Sequence, residues 1–167
     1  MKNSFDGKMV SWLALFTALS VVGASIKIPA FVDSVALDVF PALLAAALLG
    51  GRAGAIAAAF GHLLSAMFGG FPLGPMHLLI AGEMALLVWM FGVLYKKNRI
   101  AASILFVLGN TFAAPLPFIY LMSKSFYLMI VPSLLAGSII NVVIGLVLIP
   151  RLSGLFKTTV QKEGLNR

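Results

Sequence analysis

Residues 76–92 read MHLLIAGEMALLVWMFG, a run apolar enough to lie inside a lipid bilayer, and the chain contains six runs of this character. Hydrocarbon offers no water to an unpaired backbone N–H or C=O. An apolar run of about 18 or more residues therefore crosses it as a helix that satisfies its own backbone. With 61% hydrophobic and 10% charged residues over 167 positions, the sequence reads as an integral membrane protein. The first run follows MKNSFDGK directly. It is too long for the apolar part of a signal peptide, and no cleavage site follows it.

The breaks between runs carry their own chemistry. Predicted helices cover about 9–28, 35–50, 53–67, 76–95, 100–122 and 127–149, with 150–167 a basic cytoplasmic tail. Pro29 closes the first segment and GGR at 50–52 turns the second into the third. The linker FGGFPLGP holds three glycines and two prolines, which helix interiors do not accommodate. KKNR ends the fourth segment, and Pro150 with Arg151 ends the sixth. The expectation is an all-α, compact six-transmembrane-helix bundle forming a single membrane domain, without the paired inverted halves of many secondary transporters.

Charge placement orients it. With a cytoplasmic N-terminus, the inside regions hold Lys2, Lys8, Arg52, Lys96, Lys97, Arg99, Arg151, Lys157, Lys162 and Arg167, whereas the outside loops hold only Lys27 and Lys124. This positive-inside bias puts both termini in the cytoplasm. The +7 net charge is thereby assigned to topology and anionic lipid, not to nucleic acid. Trp12, Trp89 and Tyr95 fall near the inner interface and Tyr120 and Tyr127 near the outer one, as an aromatic belt requires.

Polar residues inside such a bundle are the functional candidates. Ionisable groups at bilayer depth cost roughly 2.5 kcal/mol or more each and usually face the interior or a water-filled cavity. The set is His62, Ser65, His77, Glu83, Asn110, Thr111 and Asn141. Helical rise puts Glu83 roughly 12 Å and His62 roughly 9 Å below the outer ends of their segments. His62, Glu83 and Asn110 thus converge on an outward-facing cavity, with His77 and Asp38 nearer its lid. Two other roles stay open: Glu83 paired with His62, and Asp38 as a helix cap before Phe40 and Pro41. Asp33, in the same outer loop, reads as capping or solvated. In the first segment Ala14 and Ala18 share one face, suited either to packing or to docking another membrane protein.

Several chemistries are absent. The chain has no cysteine, so disulfides, thiolate metal sites and cysteine nucleophiles are excluded. Metal ligation would have to use two histidines and one glutamate, and no metal or cofactor is expected. No G-x-x-x-x-G-K-[ST] loop is present, so ATP is not hydrolysed by that route. Ser65 and His62 lack both a G-x-S-x-G elbow and an orienting acid, and the chain is expected not to be an enzyme. Two rivals remain: a self-contained channel or proton-coupled carrier using Glu83 and the histidines, and a membrane enzyme using Ser65 or Glu83.

Six helices, cytoplasmic termini, the Ala14–Ala18 strip and an outer loop before FPALLAAALLGGRAGAIAAAFGHLLSAMFGG together resemble an energy-coupling-factor (ECF) transporter S component. The resemblance covers nearly the whole chain. It implies capture of a vitamin or vitamin precursor, a transmembrane scaffold subunit, a pair of ATPases, and residence in a prokaryotic cytoplasmic membrane. Ala14 and Ala18 would contact the scaffold, and loops containing Phe31, Phe71 and Lys124 would cover the ligand. The stretches VALDVFPALLAAALLGGRAGA and GHLLSAMFGGFPLGPMHLLIAGE look most like the subgroup assigned to α-ribazole, the nucleoside of the cobalamin lower ligand. Phe40, Met67 and Phe112 would stack on its base, with Glu83, Asp38 or Asn110 taking ribose hydroxyls and His62, His77, Ser65 and Asn141 completing the polar lining. Thiamine, pyridoxine, a whole cobamide (cobalamin) and a purine-like base stay open. The nickel and cobalt types resemble the chain less, because it begins MKNSF and lacks their Met-x-His start.

Overall fold

A computed structural model of the chain describes residues 7–29 and 34–164. Phe31 and Asp33, with Lys2 and Arg167, lie outside the described residues. The element order is α1 (Gly7–Ser25), β1 (Lys27–Pro29), β2 (Ser34–Ala36), α2 (Phe40–Leu48), α3 (Gly51–Phe68), α4 (Met76–Tyr95), α5 (Arg99–Leu108), a π-helical turn (Gly109–Ala113), α6 (Phe118–Leu121) and α7 (Lys124–Gly164). Arg99–Leu121 is one apolar stretch of 23 residues, so α5, the π turn and α6 together form the fifth of six helical segments. The expected all-α bundle is therefore present. Met76–Tyr95, Arg99–Leu121 and Lys124–Gly154 are long and apolar enough to cross a membrane, and Met9–Ser25 is a shorter apolar helix.

Four segments, the first, second, fifth and sixth, differ from expectation. Strands β1 and β2 pair antiparallel in the register Lys27↔Ala36, Ile28↔Val35, Pro29↔Ser34. That pairing removes 27 and 28 from the first expected helix, which ends at Ser25, and 35 and 36 from the second, which starts instead at Phe40 with a proline in its first turn, where no N–H is needed. At nine residues α2 is about 14 Å long, less than half of a roughly 30 Å hydrocarbon core. It does not span by itself but forms the centre of the bundle. Residues 41–46 are all buried, and α2 packs against α1, α3, α4 and α7.

The fifth segment is interrupted. Pro115 and Pro117 have no N–H, and their rings crowd the carbonyls four residues back. The helix widens ahead of them, with the Ala114 N–H donating to the Gly109 carbonyl at 2.8 Å, a bond spanning five residues. The sixth segment does not end at Pro150: α7 runs through both Pro132 and Pro150 to Gly164. Neighbouring packing tolerates a proline within a helix. Here Ile149 is buried and Leu146, Leu148 and Leu152 lie against the core.

Small residues set the close crossings. Gly50, at φ 109°, makes the turn from α2 to α3 that a side chain would strain. A Cβ on Gly54 would run into the backbone of Ala46, and one on Gly92 would meet the Gly51 Cα at 2.7 Å. Close approach of this kind replaces the hydrophobic drive that lipid removes.

Candidate functional site

A cavity of about 440 Å³ lies at the end of the bundle opposite the basic loops. Four pieces of chain wall it: the β2–α2 connection with Asp38, the α3–α4 loop with Pro72 and Leu73, Phe106 and Asn110 of the fifth segment, and α7 from Phe126 to Asn141. A smaller cavity of about 70 Å³ adjoins it, sharing Leu73, Asn110, Phe126, Ile130 and Leu134, and contains Glu83. Pockets of roughly 300–1,000 Å³ with apolar walls and a few polar groups are typical small-molecule sites.

Asn141 on α7 organises the first wall. Its Oδ1 accepts the N–H groups of Val39 (3.2 Å) and Phe40 (2.9 Å), and its Nδ2 donates to the carbonyls of Ala36 (3.0 Å) and Gly137 (2.9 Å). No side chain within α2 caps that helix, so an amide from α7 does. Asp38 stands in the connection held this way. Burial pushes its carboxyl up to about 6, opposed by the nearby backbone N–H groups of Asp38 and Val39.

Asn110 sits in the π turn, which is where its side chain enters both cavities. Its Nδ2 donates to Ser138 Oγ at 2.8 Å, and that hydroxyl donates to the Leu134 carbonyl at 2.6 Å. Glu83 faces the smaller cavity among apolar neighbours such as Ile80, Met84 and Phe118. π turns recur at functional sites because they shift side chains off the α-helical phase.

The histidines meet each other and not Glu83. His62 Nε2 and His77 Nδ1 are 3.1 Å apart, and the Leu73 N–H donates to His77 Nε2 at 3.3 Å. A neutral His77 accepting on Nε2 carries its proton on Nδ1, so it donates to His62. Phe71 packs edge-on against His77, ring centroids 5.7 Å apart. The pair thus ties the α3–α4 loop to both helices and lines neither cavity, which corrects the expectation that His62 converges with Glu83. Among the described residues no three His, Cys, Asp or Glu side chains cluster to hold a metal.

Asp38, Glu83, Asn110 and Asn141 are therefore the candidates brought together. Ser65, Phe40, Met67 and Phe112 line neither cavity. The Ser65 hydroxyl is buried without a partner, Phe40 packs on the core, and Met67 and Phe112 are 50% and 44% exposed. Apart from Asn141, sequence reasoning missed the α7 wall. Phe126, Ile130, Ser133, Gly137 and Asn141 recur every three or four residues, a face whose small and polar members were the available signal. On α1, Ala14 and Ala18 are exposed, while Phe16 and Ser20 turn into the bundle.

The model of a protein family described as "ECF transporter, substrate-specific component" matches residues 8–162. The chain belongs to that family. S components are substrate-binding transport subunits, not enzymes; they bind a small ligand and work with a scaffold and an ATPase module. A solved structure described as the S component of a bacterial ECF transporter superposes with a TM-score of 0.72 at 24% identity, over 90% of this chain and 98% of that one. The likeness shows a shared fold. A comparison with curated protein sequences gives no match.

Proposed function

We propose that this S component captures α-ribazole in the 440 Å³ cavity and delivers it across a prokaryotic cytoplasmic membrane through a scaffold subunit and two ATPases. One observation carries the reading: the cavity presents apolar walls and a few polar groups at the outer end of the bundle. Phe126 and Met129 take the stacking role first given to Phe40, Met67 and Phe112, since they line the cavity with accessible surface and those three do not line it. Asp38 and Asn110 receive ribose hydroxyls, and Glu83 reads a group that reaches the side cavity. Asn141, His62 and His77 hold the walls. The exposed Ala14 and Ala18 form the strip that meets the scaffold.

Mass spectrometry of ligand co-purifying in detergent identifies the substrate, with α-ribazole expected. Reconstitution in liposomes tests the partners: uptake requires the added ATPase module. Flux by the chain alone would overturn the S-component mechanism in favour of a self-contained carrier.

A further inference from the structure

Among the described residues the charged side chains lining the two cavities are Asp38 and Glu83, and no Lys, Arg or His is among their lining residues. Lys124 is exposed just before the α7 wall begins and is not part of it. His62 and His77 are engaged with each other, and His77 also accepts the Leu73 N–H. Helix N-termini are ready anion sites, and α2 begins at the cavity wall. However, Asn141 Oδ1 already takes the N–H groups of Val39 and Phe40, and the Asp38 carboxyl precedes them. On the far side one of the two Asn110 amide N–H groups is spent on Ser138, whose own proton goes to Leu134. What Asp38, Glu83 and Asn110 Oδ1 leave for a ligand is acceptor capacity.

We infer that this S component selects its substrate by charge. It takes neutral or protonated, donor-rich molecules and rejects the phosphorylated forms of the same compounds, with Asp38 and Glu83 as the discriminating residues. This rests on the cavity being the substrate site, but not on which vitamin fills it. A phosphate needs guanidinium, ammonium or free N–H partners to replace its hydration. Here it would be desolvated beside carboxylates in a medium far less polarisable than water. Hydroxyl, amine or ring N–H groups instead meet carboxylate and amide oxygens with lone pairs to spare. The side cavity, about 70 Å³, admits one small group of that kind beside Glu83.

The test uses the full chain in lipid nanodiscs and calorimetry on three matched pairs: α-ribazole, pyridoxine and thiamine, each against its monophosphate. Native mass spectrometry reads any ligand carried through purification. At least one parent compound should bind about 100-fold or more tightly than its phosphate, and the co-purifying molecule should carry no net negative charge. The Asp38→Asn, Glu83→Gln double variant should narrow that ratio at least tenfold. Binding of pyridoxine or thiamine in place of α-ribazole, with phosphate still rejected, overturns the proposed substrate and upholds the charge rule. A phosphate binding within threefold of its parent, an anionic co-purifying ligand, or an unchanged ratio in the double variant overturns the charge rule. No binding by any of the six, with no co-purifying ligand, overturns both.

Discussion

Replacing Asn141 with leucine changes little in volume but deletes four hydrogen bonds at a residue 3% exposed. Three backbone groups lose their partner: the N–H of Val39, the N–H of Phe40 and the carbonyl of Ala36. The fourth, the Gly137 carbonyl, keeps its place in the ladder of α7. An orphaned buried group costs about 1–3 kcal/mol. The Val39 bond is buried, but those of Phe40 and Ala36 are partly accessible, so cavity water recovers some of the loss. The expected destabilisation is about 2–4 kcal/mol, well above the cost of a volume-conserving apolar swap. Thermal unfolding in detergent should show a lowered midpoint, and ligand affinity should fall at least tenfold because the freed connection carries Asp38. Asn141→Asp keeps the acceptor but turns a carboxylate toward the Ala36 carbonyl, so it should remain impaired. Stability of the leucine variant within about 0.5 kcal/mol of wild type, or unchanged ligand affinity, would refute the assignment of Asn141 as the clamp.

Glu83→Gln should weaken ligand capture by about 1–3 kcal/mol, the range for a charge-assisted hydrogen bond; unchanged affinity with poorer folding would make Glu83 structural. Ala14→Trp or Ala18→Trp should abolish uptake by the assembled transporter while leaving ligand affinity intact in calorimetry, since both side chains are exposed; weakened ligand binding would contradict a docking role. Asp38 is raised from 3.8 to about 6 in the fold, so the protonated form is favoured there. Its contribution, up to about 3 kcal/mol at 1.36 kcal/mol per pH unit, is complete below pH 4 and lost as pH rises through 6. The unfolding midpoint should therefore drop across that window, and Asp38→Asn should flatten the drop. Gly23→Ala should cost about 1–3 kcal/mol in the same assay, because the new Cβ runs into the Leu37 carbonyl.

Much of the architecture was legible because lipid makes hydropathy decisive. The long apolar runs at 76–95 and 99–121 and the Gly/Pro linker between 68 and 75 could be read locally, since each segment has to satisfy its own backbone. Charge asymmetry was equally local. Asp38, Glu83 and Asn110 stood out because polar groups at bilayer depth demand a reason. The errors arose where the partner is distant in sequence. Nothing local says that 34–36 pair as a strand with 27–29, or that Asn141 caps a helix 101 residues earlier. Helical depth alone set His62 near Glu83, but azimuth decides which side chains meet, and packing turned His62 toward His77.

The sequence by itself determined a membrane-embedded, mainly helical chain and the scarcity of polar groups from which any site would be built. Hydropathy, charge and backbone satisfaction act over a helix or less, so they need no fold to be read. Only the tertiary structure decided that α2 is a buried nine-residue centrepiece, that α7 supplies most of the cavity wall, and that the polar groups divide into those facing the cavity and those bonded to one another. Those facts depend on how close small residues such as Gly54 and Ala46 let helices approach and on the rotation that approach imposes. Such geometry is settled between segments and is written in none of them alone.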